Sequence, residues 1–410
     1  VVSVRNYILA FDPATGEQVK TEHSDGTDGL EITYDRLGRP QTIRDATGLR
    51  TFAYDKKTLQ LVSETLPADF YGHRVIRRKY AALPAATLIG RAAGFEVGTQ
   101  TDPQADIDIT YAFDAQGRFL SVADANGTYG YGYMDNSDLI KTTTCPNGLV
   151  VTRAYEPQRN LVDYVENAVA QQVISKYDYT NDAIGRRTDI ARGGSAFQRP
   201  DQIAYRYNNR SELIAAKSAA DQGYDYSFAY DNLGNRTLCS TGILPVKSTC
   251  TYTTNPLNQY IKINAEAGPD YDADGNMTFM PSMSGGYNLV WNAENQLVVA
   301  ESAEQRLEFK YDYMGRRVQK LIYSGAPGSW KLDRDTRLIY NGWNLVAELS
   351  FQPSSLSLQR TYTWGLDLSQ SLQGAGGVGG LLCVTHHNPE DKTRTAYYPT
   401  YDANGNICEY

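Results

Sequence analysis

The sequence of 410 residues has no run of 18 consecutive apolar residues, so it predicts no membrane-spanning helix. It also lacks a basic excess, because 39 Lys and Arg stand against 47 Asp and Glu, a formal net charge of −8. That balance argues against a general binder of the phosphate backbone, and we expect no nucleic-acid partner. The first residues show neither an initiator Met nor a signal-peptide pattern, so we expect any targeting signal to lie outside this sequence.

Cysteine is scarce, and its five copies define no disulfide framework because the count is odd. Cys239 and Cys250 lie 11 positions apart and could bridge the base of a hairpin. Free thiols are the alternative, since nothing in the sequence fixes the redox compartment. With only four His, histidine-based catalysis has few candidates, and no Gly-x-Ser-x-Gly motif is present. We therefore expect this chain not to be an enzyme.

Helix-forming patterns are rare, and the best of them, residues 212–222, is short and ends at Gly223. Tyrosine and glycine are abundant instead, with 31 Tyr against 11 Phe and with 35 Gly. Tyr favours strands and can turn its hydroxyl towards water or a partner. Many of the glycines lie between Tyr-rich runs, which indicates strands separated by turns.

One six-residue unit, Tyr-Asp-x-x-Gly-Arg/Asn, recurs along the chain. The Tyr, Asp and Gly of its five clear copies are Tyr34, Asp35 and Gly38; Tyr230, Asp231 and Gly234; Tyr271, Asp272 and Gly275; Tyr311, Asp312 and Gly315; and Tyr401, Asp402 and Gly405. Degenerate copies begin at Tyr54, Phe113, Asn181, Tyr207 and Trp291. Consecutive anchors from Tyr230 to Tyr362 lie 19 to 29 residues apart, which suits one hairpin-sized unit.

The unit has the chemistry of a tight turn. Asp at its second position can accept hydrogen bonds from backbone N–H groups two residues on, and Gly at its fifth can take a positive φ. Polar and apolar residues alternate on both sides of the turn, as in 307–311 and 317–321, so each unit predicts a β-hairpin. We expect an all-β fold of consecutive hairpins in one long sheet. The pattern breaks at residues 66–105, which we interpret as a longer insertion, and at 368–396.

These units resemble the YD repeats of RHS-repeat proteins, a family that includes bacterial polymorphic toxins, C components of insecticidal toxin complexes and the teneurins. Residues 360–369, the glycine run 374–380 and the unit at Tyr401 follow the order found at the end of the family's repeat region. The resemblance implies a sheet that spirals into a hollow shell or part of one. It also implies a single repeat region over residues 1–410, with its end at 360–410.

In the bacterial toxins of this family, the shell encloses a cytotoxic C-terminal region that a built-in aspartic autoprotease releases. No Asp-Pro-x-Gly motif follows the repeats in this sequence. We therefore assign neither the autoprotease nor a toxin segment to this chain, and we expect no catalytic residue in it.

Two groups of residues have metal-ligating side chains. Asp272, Asp274 and Asn276 match the first three ligands of a calcium loop, but the later Gly and Glu of such a loop are missing, so they are weak candidates. His386 and His387 could form a metal cluster with Cys383 and Cys408, but they lack the spacing of a zinc site, and exposed loop histidines explain them better. The glycine run 374–380 lacks the setting of a dinucleotide loop and is interpreted as a flexible turn. We expect no metal and no cofactor.

The repeated side chains allow two interpretations each. The tyrosines can form cross-strand ladders or present an interaction surface. The sixth-position arginines can pair with the repeat's Asp across hairpins or remain solvated charges. These arginines are Arg39, Arg118, Arg186 and Arg316.

Two functions remain open. The first is a non-catalytic shell, in a secreted bacterial protein, that encloses or presents a C-terminal toxin or effector polypeptide. The second is an extracellular or cell-surface module that binds glycans, proteins or copies of itself through exposed sheet edges. A hydrolase of surface polymers is a weaker third hypothesis. The first two place the protein outside the cell or at its surface.

Overall fold

The computed structural model describes residues 7–81, 90–100, 105–242, 247–264, 266–282, 285–352 and 355–410. Within them the regular structure is 34 strands, one helix of four residues, α1 (Ala68–Tyr71), and one 3₁₀ turn (Gln222–Tyr224). The predicted all-β fold is confirmed. Even the best helical pattern in the sequence folds mainly as a strand, Leu213–Ser218. No helix in the described part of the chain has the length and apolar character needed to cross a bilayer.

The strands follow one another along the chain. The first twelve are β1 (Tyr7–Phe11), β2 (Gln18–His23), β3 (Leu30–Tyr34), β4 (Pro40–Asp45), β5 (Gly48–Tyr54), β6 (Leu61–Thr65), β7 (Arg74–Tyr80), β8 (Ala92–Thr99), β9 (Ile107–Phe113), β10 (Phe119–Asp124), β11 (Gly127–Tyr133) and β12 (Ile140–Thr144). The next eleven are β13 (Leu149–Tyr155), β14 (Val162–Val169), β15 (Gln172–Asn181), β16 (Arg187–Gly193), β17 (Asp201–Tyr207), β18 (Leu213–Ser218), β19 (Tyr226–Tyr230), β20 (Arg236–Thr241), β21 (Ser248–Thr254), β22 (Tyr260–Ile263) and β23 (Glu266–Ala267). The last eleven are β24 (Asp270–Tyr271), β25 (Met277–Met280), β26 (Tyr287–Trp291), β27 (Leu297–Glu301), β28 (Gln305–Tyr311), β29 (Arg317–Ser324), β30 (Lys331–Asn341), β31 (Asn344–Gln352), β32 (Ser355–Trp364), β33 (Leu381–His387) and β34 (Arg394–Tyr397).

The strands pair as consecutive antiparallel hairpins, as the sequence predicts. Within the described residues they form two long sheets, of 23 strands (β1–β23) and 11 strands (β24–β34), where the sequence predicted one. In many hairpins the register shifts by one residue where the first strand meets its turn. The shift lies between Ala229 and Tyr230 in one repeat and between Lys310 and Tyr311 in another. Each shift is a β-bulge that places the repeat's Tyr at the start of the turn.

The chain divides into two compact units: residues 1–128 with 271–397, and residues 129–270 with 398–410. In the first unit, strands from the two stretches bury apolar side chains, and the Tyr71 hydroxyl donates to the Leu338 carbonyl at 3.2 Å. The largest fully buried aliphatic side chains of this unit are Ile76, Val97, Val122, Val318, Ile339, Val346 and Leu349.

In the second unit, the strands β13–β16 carry the core on one face of their sheet. Its buried members are Leu149, Val151, Val165, Tyr177 and Tyr179. Tyr398 and Ala403, from the end of the chain, pack against this cluster. The segment 398–410 therefore lies on the face of the sheet formed by β13–β16.

The segment 66–105, which we interpreted as an insertion, contains α1, β7 and β8 in its described part. β7 pairs with β6 and with β8 in antiparallel register, so these strands continue the run of hairpins. Residues 82–89 and 101–104 lie outside the described residues, and the assignment of 1–410 to a single repeat region remains a prediction.

Candidate functional site at the repeat turns

The second-position Asp organises each repeat turn from within. Asp35 Oδ1 accepts the backbone N–H groups of Leu37 at 2.8 Å and of Arg39 at 3.1 Å. The same two bonds recur in the turns of Asp231, Asp272, Asp312 and Asp402. The fifth-position glycines have a left-handed φ, from 74° at Gly315 to 91° at Gly234. A side chain at these positions would strain the backbone, which is why the unit uses Gly.

The sixth-position Arg forms its ion pair with the Asp of its own turn and not with the Asp of a neighbouring hairpin. Arg39 Nη2 lies 2.6 Å from Asp35 Oδ2. The equivalent pairs are Arg118 with Asp114, Arg186 with Asp182 and Arg316 with Asp312. The hydrogen bond from Arg39 is the main cause that holds the pKa of the Asp35 carboxyl below its usual range. Neither interpretation from the sequence, pairing across hairpins or solvated charge, describes these arginines, because each pairs within its own turn.

Side chains of one turn also reach forward to the next turn on the same edge of the sheet. Arg39 Nη1 donates to the Leu59 carbonyl at 2.8 Å. In the second unit, Arg210 Nη2 donates to the Asp231 carbonyl at 2.6 Å, and Asn235 Nδ2 to Asn258 Oδ1 at 3.1 Å. In the first unit, Asn276 Nδ2 donates to Asn295 Oδ1 at 2.8 Å. The turns are therefore linked one to the next, which the spacing in the sequence did not reveal.

The first-position Tyr makes the opposite link, back to the preceding hairpin. The Tyr34 hydroxyl donates to the Gln18 carbonyl at 2.9 Å, and the Tyr230 hydroxyl to the Leu213 carbonyl at 2.9 Å. Trp291 replaces Tyr in a degenerate copy and makes the same link, because its Nε1 donates to the Met277 carbonyl at 2.7 Å. The replacement of Tyr by another donor at residue 291 is the sequence signal that could have revealed this bond.

These phenols remain protonated donors. Burial is the main cause that raises the pKa of Tyr34, Tyr230 and Tyr311 above the ordinary value. Each neutral hydrogen bond of this kind contributes about 1 kcal/mol. Because the bond recurs from hairpin to hairpin, its total contribution to the free energy of unfolding grows with the number of repeats.

One repeat turn lies in a buried charged cluster of the first unit. Asp312 and Arg316 pair at 2.5 Å, and both side chains are buried. Arg50, on β5, lies 3.9 Å from Asp312 Oδ2 and pairs with Glu64. Burial alone would lower the pKa of the Arg50 guanidinium, but the attraction of Glu64 and other neighbours raises it above its ordinary value. In this cluster each carboxylate has an arginine partner, so the arrangement stabilises charge and offers no free acid–base pair.

The last repeat turn docks on the sheet face of the second unit instead of extending the hairpins. Its strand contact is a single bridge between Tyr401 and Ile407. Asn167 Nδ2 donates to the Tyr401 carbonyl at 3.2 Å, and the Ala403 N–H donates to the Tyr179 hydroxyl at 2.9 Å. The sequence of this unit matches the hairpin copies, so its different placement could not be read from the motif.

A further polar anchor holds the same segment. The Ser175 hydroxyl, fully buried on β15, donates to Glu409 Oε2 at 2.8 Å. The Thr400 hydroxyl donates to the same carboxylate oxygen. The segment 398–410 is thus fastened by backbone and side-chain bonds as well as by its apolar contacts.

The calcium candidates Asp272, Asp274 and Asn276 form one of the repeat turns. Asp272 Oδ1 accepts the N–H groups of the other two residues, and its Oδ2 accepts Asn276 Nδ2 at 3.1 Å. The turn therefore engages both carboxylate oxygens of Asp272 in its own hydrogen bonds. Within the described ranges, no group of three or more His, Cys, Asp or Glu side chains is arranged to hold a metal ion.

The two neighbouring histidines lie in a strand, β33, and not in the exposed loop that the sequence suggested. Arg360 Nε donates to His386 Nε2 at 3.1 Å, and His387 Nε2 lies 3.0 Å from the Thr361 hydroxyl. Burial is the first cause that lowers the pKa of both histidines. Both are half-buried, so they belong to the sheet and not to an open site.

The glycine run 374–380 folds around one buried carboxylate, Asp367. Its Oδ2 accepts the N–H groups of Ala375 at 2.6 Å and of Gly377 at 3.2 Å. Burial would raise the pKa of this carboxyl, but the hydrogen bonds from Ser369 and from these N–H groups hold it below its usual range. A strand, β33, follows the run, as expected for a turn.

No family model matches this chain, and no curated protein matches its sequence. Solved structures do match: the crystal structure of TcdB2-TccC3-TEV at 17% identity and that of TcdB2-TccC3-Cdc42 at 18%, each with a TM-score of 0.51 and over 98% of this chain. The chain spans 24% of the length of each matched chain. The protein is therefore an all-β protein of repeated hairpins, and its fold is similar to that of these Tc toxin structures.

Proposed function

We propose that the chain is part of a non-catalytic RHS-type wall, a sheet of linked hairpins, that encloses or presents a polypeptide attached after its C-terminal segment. The observation that carries the proposal is the docking of residues 398–410 on the sheet face of the second unit. The likeness in fold to the TcdB2-TccC3 toxin structures supports it at the level of architecture. The protein would act as a component of a secreted bacterial toxin or effector.

The hydrogen bonds between consecutive hairpins are suited to an extended sheet that acts as a wall. The repeats at Tyr34 and Tyr230 are bonded back through their Tyr and forward through their Arg or Asn, so a hairpin added in the same way makes the same local contacts. Such a sheet can be extended by further hairpins without a new hydrophobic core. Its free energy of unfolding is approximately the sum of similar contributions from each repeat and from its contacts with the neighbouring repeats. The mechanism of such a wall is steric, since it separates the polypeptide from proteases without any chemical step.

The docked segment 398–410 determines where a polypeptide attached after Tyr410 would leave the fold. Asn167 and Ser175 are fully buried and bind residues 401 and 409 of that segment. A polypeptide continuing after Tyr410 would therefore start from the sheet face that carries the buried cluster of β13–β16. A wall that protects a cargo needs this placement, whereas a module that only displays its own surface does not.

A reporter fused after Tyr410 tests the proposal. The reporter is a flexible Gly/Ser-rich linker with one site for a sequence-specific protease, and the matched control carries it before Val1. We expect the C-terminal reporter to be cut at least about tenfold more slowly, a difference of 1.4 kcal/mol in accessibility. Replacing Tyr179 by Phe removes the acceptor for the Ala403 N–H and should speed cleavage of the C-terminal reporter only. Equal cleavage of the two reporters would contradict the proposal.

One observation favours the recognition alternative. Strand β1 pairs with β2, yet all five of its residues are exposed, including Tyr7 at 66% and Ile8 at 64%. Apolar strands of this kind can add a further strand from another chain. Self-association through β1, or the binding of a glycan or protein partner there, is the function that this surface supports.

A further inference from the structure

Cys239 and Cys250 face each other across two neighbouring strands of the second unit. β20 and β21 pair with Cys239 opposite Cys250, and the pairs on either side, Leu238 with Thr251 and Ser240 with Thr249, keep the same register. Directly opposite residues of an antiparallel pair have Cα atoms about 4.5 to 5.5 Å apart. A disulfide spans about 4.4 to 6.8 Å between Cα atoms, so this backbone already has the required separation.

Both thiols lie on the same face of the sheet. Cys250 and Tyr252 are two residues apart on β21, and side chains at that spacing share a face. The hydrogen bond with Cys250 is the first cause, before burial, that raises the pKa of the Tyr252 phenol, and Cys239 contributes in the same direction. The two sulfur atoms therefore both lie close to one phenol, on one side of the sheet.

The two thiols are also reachable. Cys239 and Cys250 are half-buried free thiols. Cys383, by contrast, is completely buried in the first unit. A small disulfide can thus approach the facing pair without unfolding the sheet, and it cannot approach Cys383 in this way.

We propose that Cys239 and Cys250 form a reversible cross-strand disulfide that staples β20 to β21 in an oxidising compartment and opens in a reducing one. The two thiols lose their protons and two electrons as the S–S bond forms. A small-molecule disulfide such as oxidised glutathione takes up both electrons and both protons, and its own S–S bond breaks to give two thiols. This inference goes beyond the proposed function, because it holds whether or not the wall encloses a polypeptide.

Thiol counting tests the inference on the full chain. The protein is equilibrated with oxidised glutathione, denatured, alkylated with N-ethylmaleimide and weighed intact. The reduced protein takes five labels, one on each cysteine, and the oxidised protein should take two fewer. Peptide mapping should then link Cys239 to Cys250. Five labels after oxidation, glutathione adducts without an internal bridge, or a link to any other cysteine would each overturn the inference.

Two variants serve as matched controls. Cys145→Ser removes a thiol outside the pair and should still lose two labels on oxidation. Cys250→Ser should form no internal bridge. A second readout is the urea midpoint of unfolding, which we expect to rise on oxidation in the wild type and in Cys145→Ser but not in Cys250→Ser. An unchanged midpoint in an oxidised, bridged wild type would show that the bridge does not staple the hairpin.

Discussion

The Tyr311 hydroxyl donates a hydrogen bond to the carbonyl of Leu297, 14 residues earlier, at 2.8 Å. The bond joins the turn that Tyr311 begins to Leu297, the first residue of β27, which follows the preceding repeat turn. The equivalent bonds of Tyr34, Tyr230 and Trp291 have the same direction. Tyrosine is therefore abundant in this sequence partly because its hydroxyl connects consecutive hairpins.

Removing that hydroxyl should weaken the first unit. Tyr311→Phe leaves the ring in place but takes away the donor, so we expect a loss of about 1 kcal/mol in the free energy of unfolding. Urea denaturation followed by tryptophan fluorescence measures it. Tyr7→Phe is the matched control, because Tyr7 is exposed, and should change nothing. Equal stability of Tyr311→Phe and the control would contradict a role for the bond.

Breaking the buried ion pair should cost more. Arg50→Met removes the shorter of the two guanidinium contacts of buried Glu64 and leaves only Arg78, whose Nη2 lies 3.5 Å from Glu64 Oε2. We therefore expect a loss of about 3 kcal/mol in the free energy of unfolding, the low end for a broken buried pair. The double variant Arg50→Met with Glu64→Leu removes both charges and should recover a large part of that loss. Urea unfolding of the three proteins measures the difference. If the double variant is no more stable than Arg50→Met, the cost does not come from the buried charge of Glu64.

The carboxylate inside the glycine-run loop should make stability depend on pH. The folded-state pKa of Asp367 lies below its ordinary value, so this group adds stability above about pH 4, and the stability is lost as pH falls through the folded pKa. Asp367→Asn should therefore cost about 2 kcal/mol at pH 7, and this cost should become smaller as pH falls from about 4 to 3. The exposed Glu304→Gln is the control. A difference between wild type and Asp367→Asn that stays constant between these pH values would refute this assignment.

Edge pairing through β1 gives a different prediction. If chains associate there, the mass from light scattering should rise with protein concentration. Ile8→Lys places a charge on the exposed strand and should prevent the rise. Leu233→Lys, at an exposed turn of the second unit, is the matched control and should leave it unchanged. A monomeric mass at every concentration would exclude self-association through this strand.

The repeat motif predicts the hairpins and turns because each turn depends on residues within six positions. The Asp, Gly and Tyr of the motif act locally or on the adjacent hairpin. Arg50 and Glu64 lie outside the motif, and their contact with Asp312 joins residues far apart in the chain. The docking of Tyr401 depends on Asn167, which lies 234 positions earlier in the sequence. Such long-range contacts leave no periodic signal, which is why sequence reasoning missed them.

The proposed wall encloses or presents a polypeptide attached after the C-terminal segment of the chain. Intact mass and terminal sequencing of the native protein, purified from its source and denatured, test it most directly. We expect a second polypeptide that begins beyond Tyr410 and separates from the chain only on denaturation, or a single chain that continues past Tyr410. A chain that ends at Tyr410, with no companion polypeptide in the native material, would contradict it.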